Sequence, residues 1–185
     1  QLPLNIPTLS DIKMLLKQAQ DLVVAVPSKA FIEVLQLIKP YVTEKHRIIW
    51  ATKGLEPKTG RLLHELVIEE LGAQQVFAVL AGPSFAKEVA KQLPTAVTIA
   101  TNNESFGKDL LTYFHSENFR VYLCADIIGA QVGGVMKNIL AVAAGMSDGL
   151  GFGANARAAL ITRGLAEMMR FGLALGAQIE TLQGL

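Results

Sequence analysis

The sequence has almost no cysteine and no excess of charge of either sign. Its one cysteine, Cys124, cannot form an internal disulfide, and no His or Cys cluster has metal-ligand spacing, so no metal site is predicted. The 17 basic and 16 acidic residues nearly cancel, and no basic run offers the contacts that nucleic-acid phosphates need. These absences predict a protein of the reducing cytoplasm that does not bind nucleic acid.

The sequence also lacks a recognisable leader segment. Residues 1–5 have neither an initiator Met nor a basic stretch followed by an apolar core, so we predict no signal peptide and infer that a preceding part was removed. One stretch, residues 127–147, is long enough to cross a bilayer. It carries Lys137 at its midpoint, with Gln131 and Asn138 nearby, and these groups are costly in lipid. We therefore predict no membrane insertion.

Apolar runs and amphipathic helical patterns alternate over the first 125 residues. The run at 21–26, which Pro27 ends, predicts a fully buried strand, and Ser10 and Ser28 are the expected caps of the helices on either side of it. The predicted strands are 21–26, 47–52, 76–80, 95–100 and 119–124. The predicted helices are 10–20, 28–39, 60–71, 85–92 and 105–114.

This alternation is typical of a doubly wound α/β domain, in which helices cover both faces of a parallel sheet. Ligands of that class bind beyond the carboxyl ends of the strands, which points to the loops after Val26, Thr52 and Leu80. After Asp126 the pattern changes to two long helices, 127–147 and 155–175, and the first of them has so few charges that we expect protein around most of it. We predict a partial Rossmann-like dinucleotide-binding domain at 1–125 and the start of an all-α helical substrate domain at 126–185.

Two glycine patterns are poor candidates for a phosphate loop. Gly149, Gly151 and Ala154 match the dinucleotide fingerprint, but they connect two helices, whereas the fingerprint works between a strand and a helix. Gly129, Gly134 and Lys137 have the wrong spacing for the loop that binds nucleotide triphosphates, and they lie in a helix. A dinucleotide enzyme built on this chain would therefore need an opening βαβ unit that the sequence does not supply.

Polar residues follow two of the predicted strands. Lys53 comes directly after strand 47–52, where it is either a ligand-binding ammonium or an ordinary solvated lysine. Gly82 and Ser84 follow the next strand. Glycine permits close approach of a ligand to the backbone, and Ser84 offers a hydroxyl or a cap for the helix that follows, so a simple helix entry is the alternative.

Lys137 and Asn138 are the least usual pair, because they interrupt an otherwise uncharged helix. Such a lysine either extends to the surface or lies in a partly dry pocket, where its pKa falls and it can exchange protons. Gly133 and Gly134, one turn earlier, leave open space beside its side chain.

Taken together, the sequence resembles the bacterial NAD(P)-dependent glycerol-3-phosphate dehydrogenase family across essentially its whole length and in the family's order. The motifs that carry the resemblance are Val24-Ala25-Val26-Pro27-Ser28, Thr52-Lys53-Gly54-Leu55, Ala81-Gly82-Pro83-Ser84-Phe85-Ala86 with Glu88, Pro94-Thr95, Gly133-Gly134-Val135-Met136-Lys137-Asn138, Asp148-Gly149-Leu150-Gly151 and Asn155-Ala156-Arg157.

The resemblance implies a reversible reduction of dihydroxyacetone phosphate to sn-glycerol 3-phosphate, the entry to phospholipid synthesis, by a cytoplasmic homodimer with NAD or NADP as cofactor. Lys137 would transfer the proton and contact the substrate, together with Asn138. Lys53 would lie between the nicotinamide and the substrate. Gly82 and Ser84 would contact the glycerol moiety, and Ala86 the cofactor.

The sequence departs from the family pattern by what it lacks. It has no amino-terminal glycine-rich loop, and it stops before the Asp and the Ser-Arg-Asn group that hold the substrate in the family. We therefore expect an internal piece that is inactive alone. Two alternatives stay open: a 6-phosphogluconate or β-hydroxyacid type dehydrogenase, in which the Asn falls about one turn after the Lys, and a non-catalytic Rossmann-like binding module.

Overall fold

The computed structural model describes residues 6–184, in which a five-stranded sheet precedes a group of three helices. The prediction about a signal peptide concerns residues 1–5, which lie outside the described residues. The strands are β1 (Asp21–Val24), β2 (Arg47–Trp50), β3 (Val76–Ala81), β4 (Thr95–Thr101) and β5 (Phe119–Cys124). The helices are α1 (Ile12–Gln18), α2 (Ser28–Ile38), α3 (Leu63–Leu71), α4 (Ala86–Val89), α5 (Glu104–Phe114), α6 (Ile127–Gly149), α7 (Gly153–Ala174) and α8 (Ile179–Gly184).

The α/β class, with a Rossmann-like sheet followed by helices, is confirmed, but the sheet is mixed. Its strand order is β1-β2-β3-β4-β5, and β4 runs antiparallel to β3 while the other neighbouring pairs are parallel. The expectation of a wholly parallel sheet is therefore wrong at this pair. The four-residue helix α4 spans about 6 Å, too little to return the chain along a strand of about 20 Å, so the chain enters β4 from the same edge.

Two apolar cores lie on opposite faces of the sheet, because alternate side chains of each strand point to opposite sides. In β2, Ile48 and Trp50 pack with α2, α3 and Ala130 of α6, whereas Ile49 packs on the other face with α5. The prediction that β1 is fully buried is wrong, since Val23 is 57% exposed. Val23 lies at the edge of the described sheet, on a face that no described helix covers there.

The helix starts differ from the predicted caps. Asp11, not Ser10, caps α1 by accepting hydrogen bonds from the amides of Lys13 and Met14. Ser28 is the first residue of α2 and makes no cap, because Pro27 holds the capping position. Phe85 precedes α4 in the same way, so the predicted cap at Ser84 is also absent from the described structure.

A third apolar cluster joins α6, α7 and α8 through Val132, Met168 and Leu182. The helix α8 was not predicted.

The length and composition of α6 would let it cross a membrane, yet its first third packs against the sheet and its middle against α7. Within residues 6–184, Val142 and Met146 in the second half of α6 are exposed, so the expectation that protein surrounds most of α6 stays a prediction for this half.

Candidate active site

The carboxyl ends of β1 and β2 meet at one edge of the sheet and are held together there. The hydroxyl of Thr52 donates a hydrogen bond of 2.7 Å to the carbonyl oxygen of Val26. Gly54 has a φ of +131°, and a side chain at this position would come within 2.9 Å of the Ser28 hydroxyl oxygen. The loop after β2 therefore needs glycine to lie this close to the start of α2.

Lys53 extends from this loop toward the end of β3. Its Nζ donates to the carbonyl oxygen of Gly82 over 2.6 Å and to the hydroxyl oxygen of Ser84 over 3.3 Å. Gly82 has a φ of +123°, and a side chain there would meet the backbone of Ala96 and Val97 at 3.1 Å. Since an ammonium has three N–H donors, and these are the two hydrogen bonds described for it within residues 6–184, Lys53 has one donor for a ligand.

The helix α6 supplies the opposite wall of a cleft of about 160 Å³. Positions 134, 137, 138 and 141 lie on one face of the helix, and all four line the cleft. Phe85, which is 65% exposed, lies at the mouth. The cleft is lined by Lys53, Gly82, Pro83, Phe85, Gly133, Gly134, Lys137, Asn138 and Ala141.

The charge in the cleft comes from two half-buried ammonium groups, those of Lys53 and Lys137. Burial lowers the pKa of Lys53 below its ordinary value of 10.5, and the positive charge of Lys137 lowers it further. Burial also lowers the pKa of Lys137. No carboxylate is among the described residues that line the cleft. The arrangement is suited to an anionic or electron-rich oxygen, and a lysine with a lowered pKa can give up a proton.

A hydrogen-bonded pair fixes α6 against α3 next to the cleft. The side-chain oxygen of Gln131 accepts from the backbone amide of His64, and its Nε2 lies 2.9 Å from the Nδ1 of His64 and 3.1 Å from the carbonyl oxygen of Ile127. Because Nε2 donates, Nδ1 must accept, which requires a neutral imidazole with its proton on Nε2. Burial lowers the pKa of His64 in agreement with this.

The structure brings most of the predicted site residues together. Lys53, Gly82, Lys137 and Asn138 line one cleft, and Ser84 contacts it through its hydrogen bond to Lys53. Ala86 is exposed at the start of α4 and is not among the residues that line the cleft. The roles predicted for these residues stay predictions.

Sequence reasoning missed Phe85 at the mouth and the link between Gln131 and His64. The seven-residue spacing between Gln131 and Asn138, which puts both on one face of α6, was the available indication for Gln131. The pattern at Gly149 to Ala154 connects α6 to α7, as predicted, and lies apart from the cleft.

Comparison with protein families gives two matches. Residues 1–107 match the model described as NAD-dependent glycerol-3-phosphate dehydrogenase N-terminus. Residues 126–185 match the model of the C-terminus of the same enzyme. The first match alone covers more than half of the chain.

Curated proteins named glycerol-3-phosphate dehydrogenase (NAD(P)+) are close relatives. That of Mannheimia succiniciproducens is 56% identical over 177 residues, which are 95% of this chain and 53% of the relative. That of Thioalkalivibrio sulfidiphilus is 52% identical over 183 residues, which are 99% of this chain and 55% of the relative. The chain spans about half the length of the curated relatives it matches.

Solved structures give the same result. The crystal structure of glycerol-3-phosphate dehydrogenase from Coxiella burnetii matches with a TM-score of 0.90 and 54% identity, over 95% of this chain and 53% of that one. The enzyme from Saccharomyces cerevisiae matches with a TM-score of 0.85 and 30% identity, over 97% and 54%. The chain, with Lys53 and Lys137 in one cleft at the sheet edge, belongs to the NAD-dependent glycerol-3-phosphate dehydrogenase family.

Proposed function

We propose that this chain forms much of the active site of an enzyme that reversibly reduces dihydroxyacetone phosphate to sn-glycerol 3-phosphate. The observation that carries the proposal is that Lys53 and Lys137 share one cleft at the carboxyl edge of the sheet. The names of the relatives support the same reaction. Its product would serve phospholipid synthesis.

Lys137 is the proton donor in this proposal. Reduction of the carbonyl carbon leaves negative charge on the carbonyl oxygen, which an ammonium within hydrogen-bond reach stabilises and protonates. Overall, the ketone would gain a hydride, which NAD(P)H would supply when bound, and a proton from Lys137 to become a secondary alcohol, and water would restore the lysine proton. The lowered pKa of Lys137 makes this proton easier to give.

The other polar groups hold the substrate in place. Lys53, anchored on Gly82 and Ser84, directs its remaining N–H toward an anionic or carbonyl oxygen. Gly82 and Ser84 contact the glycerol moiety. Asn138 lies beside Lys137 on the same helix face and offers an amide to a substrate hydroxyl.

NAD or NADP is the cofactor in this proposal, and it supplies the hydride when bound. A nicotinamide ring needs an apolar surface beside the reacting carbon, and the exposed ring of Phe85 next to Ala86 fits this need. Lys53 would lie between the nicotinamide and the substrate, as the resemblance implies, and Ala86 would contact the cofactor.

We also propose that the boundary between the nucleotide-binding and helical domains falls at 125/126, next to the start of α6.

The full-length protein is proposed to be a cytoplasmic homodimer that does not insert into membranes. Exposed apolar side chains on α6 and in its connection to α7, among them Val142, Met146 and Phe152, are surface that further protein would cover. Light scattering on the full-length protein, with and without membrane vesicles, tests the assembly and the absence of insertion.

The reaction is tested by assaying the full-length protein with dihydroxyacetone phosphate and either NADH or NADPH. We expect oxidation of the reduced cofactor that depends on the substrate, with sn-glycerol 3-phosphate as product. Turnover of 6-phosphogluconate with NAD(P)+ in its place would establish the alternative dehydrogenase. A folded protein that turns over neither substrate would favour the non-catalytic binding module.

A further inference from the structure

The glycine at position 134 of α6 is unusual for its place in the helix. Glycine inside a helix is less favourable than alanine, because the unfolded chain has more freedom to lose. Crowding does not explain its presence, since a Cβ built on Gly134 meets nothing within 4 Å. Its backbone is helical, so alanine would also fit the conformation.

The space beside Gly134 belongs to the cleft and to a smaller recess. Gly134 and Lys53 line both. The recess has a volume of about 10 Å³ and is walled mainly by small or apolar residues, including Leu80, Ala81 and Ala130. A space of this size holds a group about as large as one water molecule. A methyl group at position 134 would lie where the cleft meets the recess.

We propose that Gly134 is a specificity-determining residue, whose missing side chain makes room for the hydroxymethyl arm of the substrate. This inference rests on the proposed function. The carbonyl carbon of dihydroxyacetone phosphate carries a hydroxymethyl group and a phosphorylated methylene group. The recess is too small for a phosphate, so the smaller hydroxymethyl arm is the one that fits. The phosphate then points to the open side of the cleft.

The proposal predicts opposite effects of Gly134→Ala on stability and on activity. The extra methyl group favours the helix, so the melting temperature of the full-length protein rises by about 1–4 °C. The same methyl group overlaps the hydroxymethyl arm, so kcat/KM for dihydroxyacetone phosphate falls roughly 10-fold or more, mainly through KM. A glycine with a purely structural role would not combine these two changes.

The matched control is Gly145→Ala. Gly145 lies in the same helix, and a Cβ built on it also meets nothing within 4 Å, but it is absent from the residues that line the cleft. Its replacement by alanine should favour the helix to a similar degree and leave kcat/KM unchanged.

The decisive comparison uses a second substrate, glycolaldehyde phosphate, which keeps the carbonyl and the phosphate but has hydrogen in place of the hydroxymethyl arm. We expect Gly134→Ala to lower kcat/KM roughly 10-fold for dihydroxyacetone phosphate and less than about threefold for glycolaldehyde phosphate. Equal losses for both substrates, no loss for either, or a melting temperature below that of the wild type would overturn the proposal. If the wild type itself does not reduce dihydroxyacetone phosphate, the proposed function fails and this inference fails with it.

Discussion

A cation lies at each end of strand β2: Arg47 begins the strand, and Lys53 lies in the loop that follows it. The surroundings of these two cations shift their pKa values in opposite directions. At the amino end, Arg47 donates to Asp21 over 2.6 and 2.7 Å and to Asp109 over 2.5 Å. Its guanidinium also lies 4.6 Å from the ring centre of Phe106. The hydrogen bonds to Asp21 and Asp109 raise the pKa of Arg47, so the guanidinium stays protonated. The two carboxylates also neutralise its positive charge.

At the carboxyl end, Lys53 is bound to the neutral oxygens of Gly82 and Ser84, and its nearest named charge is another cation, Lys137. Burial and this repulsion lower the pKa of Lys53 instead of raising it. The opposite pKa shifts of Arg47 and Lys53 indicate that the amino end of the sheet serves stability and that the carboxyl end serves function. The amino end satisfies its charge within the protein, whereas the carboxyl end keeps positive charge available for a ligand.

Removing Lys137 should give the largest effect at the carboxyl end. In the full-length enzyme, Lys137→Ala is expected to lower kcat by roughly 10² to 10⁴, the usual contribution of a positioned acid, with the fold and NAD(P)H binding retained. Lys137→Arg should rescue little, because a guanidinium holds its proton too tightly and has a different shape.

Steady-state kinetics and a cofactor titration measure these effects. Lys108→Ala, which removes an exposed lysine paired with Glu104, is the control and should be silent. A folded Lys137→Ala enzyme with more than about a tenth of the wild-type kcat would remove Lys137 from the mechanism.

Removing Arg47 should affect stability alone. Arg47→Met leaves Asp21 and Asp109 without their partner, and we expect the free energy of unfolding to fall by about 2 kcal/mol, less than for a fully buried pair because Asp109 is 42% exposed. Urea denaturation measures the loss, and KM and kcat should stay the same. Arg61→Met, which breaks an exposed pair with Glu69, is the control, with an expected change within about 0.5 kcal/mol. A kinetic defect in Arg47→Met would contradict the assignment of stability to the amino end of the sheet and of function to the carboxyl end.

Replacing Lys53 should weaken the use of both ligands without loss of stability. We expect Lys53→Met to raise KM for dihydroxyacetone phosphate and for NAD(P)H roughly 10-fold each, since a lost hydrogen bond from a charged group commonly has this effect. Its melting temperature should not fall, because the variant also removes a half-buried charge beside Lys137. Unchanged kinetic constants would make Lys53 an ordinary loop lysine.

Protonation of His64, which is hydrogen-bonded to Gln131, should have the smallest effect, and the quantity affected is the free energy of unfolding. Burial lowers the pKa of His64 in the folded protein below its ordinary 6.5, while the negative charge of Glu65 opposes the shift. The unfolded chain therefore binds the proton more readily, and stability present above pH 6.5 is lost as the pH falls through the lower, folded-state pKa. We expect a loss under about 1 kcal/mol, since His64 is only half-buried. Urea denaturation at pH 7.5 and pH 5 measures it, and His64→Gln should show a smaller pH effect. An equal pH effect in both proteins would exclude His64 as the cause.

The sequence predicted what depends on local pattern. Apolar runs placed all five strands within a few residues, and the change at Asp126 marked the start of α6. The resemblance pointed to Lys53 and Lys137, because their motifs are short and contiguous. The direction of β4 was missed, because apolar content alone does not tell a strand that returns along the sheet from one that crosses over.

Contacts between distant residues were also missed, for a physical reason. The bonds from Arg47 to Asp109 and from His64 to Gln131 join residues more than 60 positions apart. Neither pair has a local pattern, and each depends on how α3, α5 and α6 pack on the sheet. The open space at Gly134 was inferred from the absence of a side chain, but the recess beside it required the packed structure.

The shared cleft of Lys53 and Lys137 is tested most directly by the pH dependence of kcat/KM for dihydroxyacetone phosphate reduction. Lys137 must be protonated to donate, so activity should fall on the alkaline side, at a pH below 10.5 because burial lowers the pKa of Lys137. Because repulsion between two charges is mutual, removing the charge of Lys53 in Lys53→Met should move this alkaline limb to higher pH. An alkaline limb at the same pH in both enzymes, or none in the wild type, would contradict the account.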